Sequence, residues 1–190
     1  TIGTPIHRVH IDQKSTGIYA DSTTTVTADT TVNLGARLQW VKQDGKDDFD
    51  PNAPGAADKF ESGAADYDDS HRVHMLEAGI EKQFLASTAA YLKWTRSARI
   101  ATVDELFEFD PNTFARTFSP LDPQTGNGVD LGAHYRQGRY SGTANAYYMR
   151  LKNEIQFDPV TFTNVNLDPT ERSGLELSGT VDVDERISLQ

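Results

Sequence analysis

The chain has no cysteine among its 190 residues, so neither a disulfide framework nor a thiolate metal centre holds it together. It has no apolar run approaching the 18 or so residues of a membrane helix, so any segment that crosses a bilayer must do so as β-strand. Basic residues are outnumbered: 18 Lys and Arg against 28 Asp and Glu give a formal net charge of -10. With a pI near 4.8, this argues against nucleic-acid binding, which needs a basic patch or stripe. Apolar residues are few as well. At 37% hydrophobic and a mean hydropathy of -0.56, the chain is poorly stocked for a soluble core, whereas a membrane barrel needs apolar residues only on its lipid face.

What is present is a rhythm of period-2 runs. Ile18 to Val26 turns through Thr27-Ala28-Asp29-Thr30 into Val32 to Val41, and a long excursion follows from Gln43 to Ser70. His74 to Phe84 turns at Ala86-Ser87-Thr88 into Ala90 to Thr95, with a second excursion from Ser97 to Gly126. Val129 to Arg136 turns at Gln137-Gly138-Arg139 into Gly142 to Ile155, with a third from Gln156 to Thr170. Ser173 to Val183 then turns at Asp184-Glu185 into Ile187 to Gln190. Short turns at one end and long loops at the other are the habit of outer-membrane barrels. The expected fold is therefore all-β, an antiparallel meander of about eight strands from a transmembrane β-barrel, with short periplasmic turns and long extracellular loops.

Within the runs, Val32, Leu34, Ala36, Leu38 and Trp40 alternate with Asn33, Gly35, Arg37 and Gln39, and Leu76, Ala78, Ile80 and Phe84 oppose Glu77, Gly79, Glu81 and Gln83. Val129, Leu131, Ala133 and Tyr135 oppose Asp130, Gly132, His134 and Arg136. Tyr147, Met149 and Leu151 are set against Tyr148, Arg150 and Lys152, and Leu175, Leu177, Val181 and Val183 against Glu176, Ser178, Thr180 and Asp182. Such alternation also suits a soluble sheet with one solvated face. Trp40, Trp94, Tyr135 and Tyr140 near strand ends favour the membrane, as girdle aromatics. Gly35, Gly79, Gly132 and Gly174 on the polar face would allow a lumen or plug to approach closely. The first excursion is acidic, with Asp44, Asp47, Asp48, Asp50, Asp58, Glu61, Asp66, Asp68 and Asp69 facing only Lys46 and Lys59, and is expected to be solvated.

Two stretches go beyond pattern. Arg99 to Phe107, with Asp104-Glu105-Leu106 inside it, is followed by Phe118-Ser119-Pro120-Leu121-Asp122-Pro123-Gln124 and Val129-Asp130-Leu131-Gly132. This resembles the segment of TonB-dependent outer-membrane receptors in which Arg-x-Pro-x-x-Asp-Glu-Leu leads to Asn-Pro-x-Leu-x-Pro-Glu and a strand with a Glu-x-Gly-like motif. Asn153-Glu154-Ile155, Asn164-Val165-Asn166 and Arg172-Ser173-Gly174-Leu175-Glu176-Leu177 resemble its Asn-x-Ile, Asn-x-x and Arg-Gly-x-Glu-Leu elements, in order. Gly17 to Asp21 and Leu34-Gly35-Ala36-Arg37 resemble its paired upstream strands. Ala101 stands where proline is usual, Gln124 where glutamate is usual, and Ser119-Pro120 replaces Asn-Pro.

The resemblance implies a partial receptor barrel over 1–190, roughly a third of 22 strands, with the plug and the TonB-contacting segment missing. Thr1 in place of Met and the lack of a signal peptide fit such a piece. It further implies a transport protein rather than an enzyme, in the outer membrane of a Gram-negative cell. Its partners would be TonB, the plug, outer-membrane lipid and a scarce large nutrient, first a ferric siderophore and alternatively haem or cobalamin. Haem receptors of the family resemble one another in carrying a histidine between the two loop motifs, and none lies between Arg99 and Pro120. Two readings from other classes stand beside this one, a self-contained eight-stranded barrel and a soluble β-sandwich binding module.

Individual residues carry weaker hints. His71-x-x-His74 and His7-x-x-His10 offer metal-ligating side chains, but spacing of three on a strand points them to opposite faces. Asp48-x-Asp50-x-Asn52 offers alternating oxygens for Ca²⁺, yet Ala53 and Lys59 occupy the glycine and glutamate places of an EF-hand loop, so solvated acid is the expected role. Asp104-Glu105 lacks a nucleophile or base for acid–base chemistry. No catalytic group, metal or cofactor is expected. Phe107, Phe109, Phe114 and Phe118 form an aromatic stretch in the second loop, suited to touching ligand or packing the loop on a plug. As an isolated piece the sheet would expose two edges and self-associate.

Overall fold

The computed structural model describes residues 7–50, 52–53, 66–109, 116–183 and 188–189. Its frame is one antiparallel sheet. β1 (His7–Thr27), β2 (Thr30–Phe49), β3 (Tyr67–Leu85) and β4 (Thr88–Arg99) form a meander. A single helical turn, α1 (Val103–Leu106), and a small hairpin of β5 (Phe107–Phe109) and β6 (Arg116–Phe118) follow. The meander resumes with β7 (Gln124–Gln137) and β8 (Tyr140–Lys152). A second small hairpin, β9 (Glu154–Asp158) with β10 (Thr163–Leu167), precedes β11 (Thr170–Asp182) and β12 (Ser188–Leu189). The eight main strands run in the order β1-β2-β3-β4-β7-β8-β11-β12.

Three of the four expected tight turns are present, at Ala28-Asp29, Ala86-Ser87 and Gly138-Arg139, and the fourth, at Asp184-Glu185, lies outside the described residues. The first and the third are set by local chemistry. Asp29 accepts from the Thr27 hydroxyl at 2.6 Å and the Thr30 hydroxyl at 3.0 Å and pairs with Lys82 at 3.2 Å. These contacts, the two hydroxyls foremost, push its carboxyl down to about 2. Gly138 has φ +56, the left-handed region where glycine carries no Cβ penalty.

The strands are longer than the alternation alone indicates. Gln43 to Phe49 and Tyr67 to Ser70, expected as loop, are strand: the β2–β3 ladder runs out to Gly45 opposite Tyr67, and Lys46 to Phe49 continue the β1–β2 ladder to His7. Polar alternation is a weak strand signal, yet backbone pairing needs no apolar side chain. The acidic stretch is accordingly not all solvated: Asp47 is 1% exposed, while Lys42 bridges Asp44 at 2.9 Å and Asp68 at 3.4 Å.

Register fixes which residues share a face. Leu34 faces Ala78, Ala36 faces Leu76, Leu92 faces Leu131 and Leu131 faces Ala146, which faces Leu175. These side chains are open: Leu131 is 60% exposed and Leu175 68%. Nothing covers them, for no second sheet packs there among the described residues. The chain exposes 12851 Å², against roughly 9,000 Å² for a compact soluble protein of its mass, which removes the β-sandwich reading. Among the described residues the sheet is also open, with β1 and β12 at its two ends, rather than a closed eight-stranded barrel.

One strand is turned over relative to expectation. Tyr147, Met149 and Leu151 lie on the polar face, Tyr147 opposite Asp130 and Gly174, and Ala144, Ala146 and Tyr148 take the apolar one. Neighbouring strands set that register, and on β8 alone both faces look equally apolar. The segment from Tyr140 to Tyr148, about nine residues, is long enough to cross a hydrocarbon core. Trp94, Val129 and Tyr148 form one aromatic-rich row at its long-loop edge, and Tyr135 and Tyr140 lie at the other.

Candidate functional site

At the long-loop end the chain after β4 folds over the polar face of the β2–β3 extension. Phe118 lies against Gly45, where a Cβ would come within 2.8 Å of its ring, so this close approach requires glycine. Phe118 stacks on Tyr67 with centroids 5.4 Å apart and meets Phe107 edge-on at 5.6 Å. Ala101, Leu106, Leu121 and Ile155 complete a small core. Gln43, wholly buried, ties that core to the wall: its amide donates to the Ala101 carbonyl at 3.1 Å and to Gln13 at 3.0 Å.

Polar clamps hold three loop segments together. The Arg99 guanidinium donates to both Glu105 oxygens at 2.9 and 2.7 Å and reaches the Ile155 carbonyl at 3.4 Å. Glu105 also accepts from the Thr102 N–H at 2.8 Å and its hydroxyl at 3.0 Å. Burial alone would raise the Glu105 carboxyl, but these donors outweigh it and hold it below the ordinary value. Glu108 behaves oppositely: burial pushes it up, although the Asn164 N–H donates to it. The Asn164 side chain donates to the Glu105 carbonyl at 3.2 Å. Asn166 donates to the Asp122 and Asn153 carbonyls, both at 3.0 Å, and accepts from the Asp122 N–H at 2.8 Å. Asn153 itself has φ 53, a left-handed conformation that asparagine tolerates and that turns β8 into β9.

The structure thus brings Arg99, Glu105, Leu106, Asn153, Ile155 and Asn164 into one loop core, with Phe107 and Phe118 packed in or beside it. Asp104 and Pro120 are exposed on its surface. Gly132, Gly174 and Glu176 lie farther along the wall. Gly132 and Gly174 do not leave space for a plug: Tyr91 sits over Gly132 and Tyr147 over Gly174, where an added Cβ would be 2.3 and 2.7 Å from tyrosine atoms. Tyr91 also stacks on His134 at 5.1 Å and donates to Asn145 at 3.1 Å. The backbone of Phe109 pairs with Arg116, its side chain and all of Phe114 lie outside the described residues, as do Asp58, Lys59, Glu61 and the side chain of His7. His71 and His74 point to opposite faces, His71 pairing with Asp69 at 3.2 Å. Asp48 pairs with Lys46 at 3.6 Å, and Asp50 accepts from the Asn52 N–H at 2.9 Å.

Sequence reasoning missed Gln43, Tyr67 and Glu108, whose importance arises only when distant segments meet. It also missed Phe157 and Phe162, both about half exposed and edge-on at 6.3 Å in the β9–β10 hairpin, although phenylalanines flanking a Pro-Val-Thr turn were a readable signal.

An eight-stranded meander with an uncovered apolar face, a mixed-charge opposite face and loops folded over one end is the wall of a large membrane barrel. The family model of the TonB-dependent receptor-like β-barrel matches residues 4–189. The chain belongs to this family. Members of the TonB-dependent receptor family are transport receptors, and their barrels reside in outer membranes, so the apolar face of this wall meets lipid and the polar face lines the lumen. Among curated proteins no sequence relative matches. Solved receptor structures share the fold: the ferric yersiniabactin uptake receptor FyuA from Yersinia pestis (13% identity, TM-score 0.71, 94% of this chain and 26% of that one); the Serratia marcescens hemophore receptor HasR in complex with its hemophore HasA and heme (14%, 0.71, 90% and 32%); and the siderophore receptor PiuA from Acinetobacter baumannii (17%, 0.63, 93% and 24%). The chain therefore spans about a quarter to a third of these receptors. On its lumen wall Arg37, Lys93 and Arg136 are interspersed with Glu77, Glu81, Asp130 and Glu176, a hydrated surface of both signs.

Proposed function

We propose that this chain is a wall segment of an outer-membrane receptor that imports a ferric siderophore in a Gram-negative cell, driven by TonB acting on a plug carried elsewhere in the parent. The observation that carries this reading is the loop core itself, in which the family-motif residues Arg99, Glu105, Ile155 and Asn164 hold the extracellular loops over the lumen wall. Support for the ligand class comes from the solved relatives, two of which are named for siderophore uptake, and from the absence of histidine between Arg99 and Pro120. Phe107, Phe109, Phe114 and Phe118 in the second loop are proposed ligand contacts, joined by the exposed Phe157 and Phe162, since aromatic faces suit a bulky, partly apolar chelate.

The test is binding to the full-length receptor in detergent, titrated with ferric catecholate, ferric hydroxamate, haem and cobalamin. Binding of a ferric chelate and not of haem or cobalamin is expected, with Phe157→Ala and Phe162→Ala each weakening it by more than about 1 kcal/mol. Binding of haem or cobalamin alone would sink the siderophore assignment.

A further inference from the structure

The loop core is fastened to the wall through a short polar chain on β3. Phe118 stacks on Tyr67, and the Tyr67 hydroxyl donates to Asp69 Oδ2 at 3.3 Å. The same oxygen lies 3.2 Å from His71 Nε2, while Asp69 Oδ1 accepts from the Ser70 N–H at 2.7 Å. Burial first, and then Asp69, push the Tyr67 phenol up to about 12, so at neutral pH it keeps its proton and serves as a donor. The His71 side chain is only 13% exposed, which places its imidazole inside the junction.

One buried acceptor beside this chain is left unserved. Across the ladder Val41 faces His71, Gln43 faces Asp69 and Gly45 faces Tyr67. The Gln43 amide nitrogen donates to Gln13 and to the Ala101 carbonyl, but its Oε1 is buried without a hydrogen-bond partner, a state that a buried acceptor does not tolerate cheaply. Gln43 is the diagonal neighbour of His71, and diagonal cross-strand partners lie about 7–8 Å apart, within reach of long side chains. A neutral imidazole has a single N–H; spent on Asp69 from Nε2, it leaves Nδ1 bare, whereas imidazolium carries an N–H on both nitrogens.

Among the described residues the other charges around the junction are engaged or distant. Behind Val41 and Gln43, β1 presents the neutral Ser15 and Gln13. Lys42, Asp44 and Asp68 project from the opposite face and bridge one another. In the overlying loops Arg99 pairs with Glu105, and Glu108 accepts from Asn164. Asp47 stands six residues along β2 from Val41, about 20 Å away.

We propose that protonation of His71 locks the loop core onto the wall: the imidazolium pairs with Asp69 through Nε2 and donates its second N–H to Gln43 Oε1. Both gains exist only in the charged form, so the lock is closed on the acid side of the imidazole titration and released on the alkaline side. The loops it holds carry Phe107, Phe118 and, through the reach of Arg99 to the Ile155 carbonyl, the β9–β10 hairpin. The lock therefore sets how readily the long-loop end of the wall is uncovered, and it needs no bound ligand.

The test is hydrogen exchange on the full-length receptor in detergent, read by mass spectrometry and corrected for intrinsic rates, at about pH 6 and about pH 8. Because Glu108 also titrates in the loop core, the measurement is made in the Glu108→Gln background. There, peptides covering 101–107 and 117–121 should be roughly tenfold better protected at the acid pH, the worth of one hydrogen bond to a charged group, with the wall peptide 140–148 unchanged. Adding His71→Phe should abolish the step. Asp69→Asn should remove most of it, and serves in its place if His71→Phe does not fold, which heat-modifiable gel mobility reports. No step in the background protein, a step of full size in His71→Phe, or an equal step in the wall peptide would overturn the proposal.

Discussion

At the scale of single residues, small side chains matter here because of what lies on top of them. An alanine at Gly132 would place its Cβ 2.3 to 2.5 Å from the Tyr91 ring, so Gly132→Ala should destabilise the folded barrel by about 1–3 kcal/mol through overpacking. Adding Tyr91→Ala should recover part of that loss, because the two changes share one contact. Midpoints of urea unfolding in lipid vesicles, measured for both singles and the double, check this; additive losses would refute the contact. The glycine on a polar strand face was legible in the sequence. Its tyrosine partner was not, because Tyr91 and Gly132 are brought opposite only by the β4–β7 register.

At the scale of elements, the loop core is a cooperative unit of α1, the β5–β6 hairpin and the β9–β10 hairpin. Leu106, 1% exposed, is its best-enclosed side chain, and Leu106→Ala should cost the loops about 2–5 kcal/mol, read as faster hydrogen exchange in residues 153–167 with the wall unchanged. Its two carboxylates give a pH window. Glu105 is depressed in the folded state, so its contribution is present above the ordinary carboxylate value and is lost as pH falls through the lowered one. Glu108 is raised, so its contribution is full below the ordinary value and is lost as pH rises through the raised one. Exchange protection of the core should therefore peak in mild acid; Glu108→Gln should extend the plateau towards neutrality and Glu105→Gln should remove the rise on the acid side. A flat profile in the wild type would contradict both assignments. The motif residues Arg99, Glu105, Ile155 and Asn164 were visible as a series in the chain, but their joint role was not, since the Arg99–Ile155 and Glu105–Asn164 links each join segments more than fifty residues apart.

At the scale of the whole molecule, the sheet ends at β1 on one side and β12 on the other. A 21-residue β1 whose outer edge pairs with no strand among the described residues, beside an apolar face that those residues leave uncovered, is a template for other chains. We propose that the segment, expressed alone, associates with itself. Sedimentation without detergent is expected to show broad, concentration-dependent oligomers, and a sharp monomer boundary would count against the proposal.

Strand number, the short-turn end and the apolar face of most strands were written in the sequence, because side-chain alternation and turn residues act within a few positions of each other. The true strand lengths, the inversion of β8 and the burial of Gln43 and Asp47 were decided only in three dimensions. There, backbone pairing extends a ladder regardless of side-chain polarity, a neighbour's register chooses the face of an ambiguous strand, and a returning loop turns an acidic, water-seeking stretch into the floor of a core.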